Sequence, residues 1–109
     1  MAVRFTLLKK LPSFDEINKK SNLFIEHKFE KHYLVDVFGN QAEISKNENG
    51  LIDKLTFYLP NKPKIILSDL IKSFNLEFID DFEEENLKNN LISKDSYQEH
   101  VKKSMKKYV

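Results

Sequence analysis

Residues 23–59, LFIEHKFEKHYLVDVFGNQAEISKNENGLIDKLTFYL, carry the pattern that decides the fold. Leu23, Ile25, His27 and Phe29 fall on one side of an extended chain. Tyr33, Val35 and Val37 do the same after a reversal near Glu30 and Lys31, and Leu55, Phe57 and Leu59 repeat it. Apolar side chains at every second position mark strands with one buried face. Gly39–Asn40 directly after Phe38 predicts a two-residue hairpin, because Gly takes positive φ freely and Asn tolerates it. Asn47-Glu-Asn-Gly50 predicts the next turn. Together these runs predict an antiparallel meander of about four strands joined by short loops.

Upstream, Val3, Phe5 and Leu7 alternate with Arg4 and Thr6, which predicts a further strand over 3–9 ended by Pro12. Ser13-Phe14-Asp15-Glu16 reads as a capping box: the Ser13 hydroxyl accepts the N3 amide, and Glu16 reaches back to the cap amide. Asp15 and Glu16 at the start and Lys19 and Lys20 at the end each suit the helix dipole. The expectation is a helix over 14–21 that buries Phe14 and Ile17.

Downstream, Pro60-Asn-Lys-Pro63 breaks the meander and Ile65-Ile66-Leu67 is a short apolar run. Ser68 is expected to cap a helix through about Asn75, with Leu70, Ile71 and Phe74 on one side. Residues 76–79 read as one more strand or an extended connection. Asp81 with Glu84 three residues later predicts the start of a helix through Phe82, Leu87 and Leu91. Ser93 and Ser96 are rival caps for a last helix, whose apolar stripe is Tyr97, Val101, Met105 and Tyr108. The predicted architecture is α+β: one domain over 1–109 with an antiparallel sheet of about five strands, a meander, and helices packed on one face.

Composition narrows the function classes. The chain has 109 residues, 40% hydrophobic and 12% aromatic, with nine Phe and four Tyr, enough for a core. Zero Cys excludes disulfides, thiolate zinc sites and a Cys nucleophile. No apolar run approaches the length of a membrane span. Arg4, Lys9 and Lys10 interrupt the first apolar stretch, which is wrong for a secretory leader. A cytoplasmic location is expected. With two Gly there is no Walker loop and no dinucleotide-binding turn. No Ser sits in Gly-x-Ser-x-Gly, and Ser13, Ser68 and Ser96 are read as caps. Along one strand, the odd spacing of His27 and His32 points them to opposite sides. Asp36 and Glu26 are expected on the solvent face. Neither a catalytic set, a metal site nor a cofactor is expected.

The net charge of +1 conceals a division. Residues 1–76 carry 12 basic and 9 acidic side chains, residues 77–99 carry 2 and 8, and residues 100–109 carry 4 and none. Three readings of the acidic run compete, the weakest being a divalent-cation site, since the run lacks the Gly at position 6 and the Glu at position 12 of a calcium-binding loop. Acids in a first helical turn interact well with the free amides there. Alternatively, closely spaced carboxylates form a docking surface for a basic cleft and speed association with it. The candidate partner-binding residues are Phe78, Asp80, Asp81, Phe82, Glu83, Glu84 and Glu85, with Glu83, Glu84 and Glu85 exposed and Phe78 or Phe82 as apolar anchor. The functional expectation is a non-enzymatic protein-binding inhibitor of immunity or antitoxin type, whose partner is a basic toxin domain. The alternatives are a nucleic-acid accessory protein using Lys102, Lys103, Lys106 and Lys107, or a small enzyme or ligand-binding domain. Those lysines lack a companion Arg, and the acidic run beside them repels phosphates, so nucleic acid is not the expected partner.

Overall fold

The computed structural model describes residues 2–9, 11–89 and 94–108, and the side chains of all of these except 94–96. In chain order the elements are β1 (Ala2–Leu7), α1 (Phe14–Lys20), β2 (Phe24–Lys28), β3 (Lys31–Val35) and β4 (Gln41–Lys46). Then come β5 (Ile52–Tyr58), α2 (Lys64–Phe74), β6 (Phe78–Asp80), α3 (Asp81–Asn89) and α4 (Lys94–Lys107). The strands form one six-stranded antiparallel sheet in the order β2-β3-β4-β5-β1-β6. The expected meander occupies β2 to β5, and β1 and β6 extend it on one side.

Alternation sorts the sheet into two faces. Phe5 lies opposite Leu55, and Leu55 opposite Ile44; Val3, Phe57, Ala42 and Leu34 form the next row. These side chains make the apolar face, which Ile17 of α1 and Ile66, Leu67 and Leu70 of α2 cover. Phe5 is the centre of the core. The rings of Phe57, Phe78 and Tyr108 meet it edge-on at 5.6, 5.3 and 4.8 Å, the geometry that places ring edges against the electron-rich face. The opposite face carries Arg4, Lys31, Glu43, Lys54, Thr56 and Tyr58.

Several local expectations are met atom by atom. The Ser13 hydroxyl accepts the Glu16 amide at the start of α1. Asn47 closes the β4–β5 turn by accepting the Asn49 and Leu51 amides, and Gly50 takes φ 76° there. Leu91 and Ser93 lie outside the described residues, as does the side chain of Ser96.

Other expectations are corrected. Helix α2 starts at Lys64 rather than at Ser68, and Pro63 occupies the cap. Burying Ile66 and Leu67 together with Leu70 requires them on the same helical face, so packing draws the apolar run into the helix. The Ser68 hydroxyl donates to the Tyr108 carbonyl instead. Helix α3 is capped by Asp80, one residue earlier than expected: its carboxylate accepts the Glu83 amide at 2.7 Å. The Gly39–Asn40 hairpin is a longer loop between β3 and β4. Asp36 is buried rather than solvent-facing, because its carboxylate accepts the amides of Phe38 and Asn40 and the Asn40 side-chain amide. His27 and His32 do not point apart. A two-residue turn between them makes them cross-strand partners, with rings stacked at 4.5 Å.

Candidate functional site

The acidic segment is divided by the fold. Phe78 and Asp80 lie on β6, which pairs with β1, and both are buried. Phe78 packs against Phe5 and so is a core residue. Glu83, expected to be exposed, is also buried. It faces α4, where its carboxylate contacts His100 Nδ1 and lies 3.5 Å from Lys107 Nζ. Lys107 Nζ reaches Asp80 at 3.2 Å. The His100 hydrogen bond, assisted by the Lys107 charge, holds the Glu83 carboxyl below its ordinary range. Burial opposes the charge on Lys107, yet hydrogen bonding to Asp80 and the nearby Glu83 raise its pKa overall. The Ser104 hydroxyl completes the network by accepting the Asp80 amide. Two of the seven expected residues, Asp80 and Glu83, therefore hold β6, α3 and α4 together, and Phe78 belongs to the core.

Asp81, Phe82, Glu84 and Glu85 divide again. Glu84 is half-buried and accepts a hydrogen bond from Thr6. Asp81 and Glu85 are exposed on α3. Phe82 is 63% exposed, with Lys107 Nζ 4.9 Å from its ring centre. The acidic surface that reaches solvent is thus Asp81, Phe82 and Glu85, with Glu84 at its margin.

A second surface arises at one end of the sheet, where β3 turns into β4, β5 ends and α2 begins. Val37, Phe38, Leu59 and Ile65 are all exposed there, Phe38 at 74%. The Gln41 amide donates to Asn61 and the Lys62 amide to Asn40, which holds the two loops side by side. Between the β3–β4 loop and α2 runs a groove of about 510 Å³ bordered by Asp36, Val37, Phe38, Lys64, Ile65 and Lys72. Its lining sets the apolar side chains of Val37, Phe38, Ile65 and Ile71 beside the charged groups of Lys64, Asp69 and Lys72. Asp36 makes the exposure of Val37 and Phe38 possible, because its three hydrogen bonds hold the loop that presents them. The burial of Asp36, which organises the loop, has no signal in the alternation.

The polar sheet face has its own charge pair. Lys31 and the Tyr58 hydroxyl both reach the nearly buried Glu43 carboxylate. The Lys31 hydrogen bond, with that of Tyr58, lowers the Glu43 pKa against the opposing effect of burial. The same contact raises the Tyr58 pKa. Glu43 and Tyr58 line a hollow of about 320 Å³ together with Arg4, Lys54 and Thr56. Among the described residues, no three His, Cys, Asp or Glu side chains are placed to share a metal ion. No described helix is long and apolar enough to cross a membrane.

Comparison with known proteins returns no matching family, no matching curated relative and no matching solved structure.

Proposed function

We propose that the chain is a protein-binding module that acts by occupying its partner rather than by turning over a substrate. The observation that carries this reading is the exposed apolar end of the sheet. Exposed Val37, Phe38 and Ile65 line a groove together with Ile71 and the charged side chains of Lys64, Asp69 and Lys72. An apolar centre ringed by polar groups is the usual anatomy of a binding hot spot. Asp36 fixes the loop before any partner arrives, so docking costs less ordering entropy there. The inhibitor reading, of immunity or antitoxin type against a basic toxin domain, adds the acidic exposed set on α3, in which Phe82 stands between Asp81 and Glu85. Nucleic acid remains the less favoured partner, since Lys107 is engaged by Asp80 and Glu83 and the acidic α3 stands beside the other lysines of α4.

The test is co-expression with the product of the adjacent gene, followed by calorimetric titration. Val37→Asp with Phe38→Asp is expected to weaken binding by at least about tenfold, because each removes an apolar contact and buries a charge. Asp81→Lys with Glu85→Lys is expected to slow association and reduce its salt dependence. Undiminished binding in both double variants refutes both surfaces. Loss in the second alone moves the docking site to α3.

A further inference from the structure

The two ends of the sheet are treated differently. At one end β6 has three residues, α4 packs along it, and the Ser104 hydroxyl takes the Asp80 amide. At the other end lies β2, five residues long, with Phe24, Glu26 and His27 exposed and Ile25 and Lys28 half-buried. No described strand pairs with its outer edge. The two-residue turn makes Lys28 and Lys31 a hydrogen-bonded pair, and alternation then leaves the amides and carbonyls of Ile25 and His27 pointing out of the sheet. An open edge of this kind is a template for another strand. The turn beside it has an unusual occupant. Phe29 sits at φ 52° and is 85% exposed, where Asn or Gly would be the unstrained choice.

The geometry points to a second copy of this chain as the strand that completes β2. The edge is self-complementary in charge. When two copies run antiparallel about a two-fold axis at His27, Glu26 of each stands opposite Lys28 of the other, giving two identical ion pairs. Ile25 of each then faces the turn that carries Phe29 of the other. Sliding the copies by two residues puts Glu26 opposite Glu26, which like-charge repulsion disfavours. The outward amides and carbonyls of His27 pair with their own symmetry mates. Only three residues of each strand face one another fully, so the dimer is weak and concentration-dependent.

Sedimentation equilibrium from tens of micromolar to a millimolar tests the pairing. Wild type is expected to pass from monomer to dimer over that range. Glu26→Lys and Lys28→Glu, each alone, place like charges across the axis twice and should weaken the dimer about tenfold or more. Both positions are at the surface, and their own ion pair at 3.6 Å is a solvent-exposed contact that contributes little to folding. The thermal midpoint of each variant should therefore stay near wild type. An equimolar mixture of the two single variants should form a heterodimer at least as well as wild type pairs with itself, and the double variant should recover self-association. A wild type that stays monomeric throughout overturns the proposal. So does a dimer that Glu26→Lys leaves unchanged, or one that the mixture fails to restore; in those cases the edge is bare or takes a strand from a different protein.

Discussion

Replacing Ser104 with Ala tests whether α4 seals the sheet edge. Ser104 is fully buried, and its hydroxyl is the acceptor for the Asp80 amide at 3.0 Å. That amide points away from β1 and has no strand beyond it. Removing the hydroxyl strands a buried N–H, which costs about 1–3 kcal/mol. The lower figure applies if a water replaces the hydroxyl, the upper if the amide stays dry. For a domain near this size each kcal/mol moves the melting temperature by about 4 °C or more, so a fall of roughly 4–12 °C is expected. The urea midpoint should fall by about 0.5–1.5 M with unchanged slope. Lys103→Ala, exposed on the preceding position of the same helix, is the control and should stay within about 0.5 kcal/mol of wild type. Amide exchange at Asp80 should accelerate in the Ser104 variant. Equal midpoints for the two variants would refute the reasoning: α4 would then lie against β6 without sealing it.

Three further outcomes are expected. The Glu83 carboxyl is held below its ordinary pKa mainly by His100, so its contribution is present above the unfolded value of about 4.3 and is lost as pH falls through the folded value. Glu83→Gln should lower the urea midpoint at neutral pH and flatten its decline in acid; an acid limb as steep as wild type would contradict this. Asp36→Ala should cost about 1–3 kcal/mol by freeing the Phe38 and Asn40 amides, with Asp36→Asn intermediate, measured by chemical denaturation. Met105 is only half-buried at the margin of the core, so Met105→Ala should cost about 1–2 kcal/mol, below the 2–5 of a fully buried site, in the same assay.

Local chemistry was legible in the sequence. Period-2 alternation over residues 23–59 placed Leu55 and Phe57 on the buried face of β5 but chose the wrong face of β3, where Leu34 meets the core, Tyr33 stands opposite Glu43 and Val37 is exposed beyond the strand; Ser13 and Asn47 announced the helix start and the turn that they make. These signals concern neighbours within a few residues, where spacing alone dictates geometry. Ile17, Val101 and the stripe toward Tyr108 were legible for the same reason. What the sequence could not resolve is which way a polar side chain turns when distant elements approach. Glu83 and Glu85 stand two apart in an acidic run, yet one is buried against His100 and Lys107 and the other is exposed, because only Glu83 faces α4. A variant changing Glu83, Glu84 and Glu85 to Lys together would therefore break a buried contact rather than test a surface. His27 and His32 look opposed until the turn between them makes them partners. Asp36 and Ser104 look like ordinary polar residues until a loop and a sheet edge offer them amides. Spacing within a few residues was enough for the strand-rich first half, the helical stripe of α4 and the Ser13 cap, because these follow from backbone geometry over short spans, whereas the caps expected at Ser68 and Asp81 moved once packing set the helix starts. Packing between distant elements settled that the acidic run is half structural, that the β3–β4 loop presents Val37 and Phe38, and that β2 rather than β6 is left open. Those outcomes depend on which groups meet across the chain, and burial then decides whether a charge is a contact or a surface.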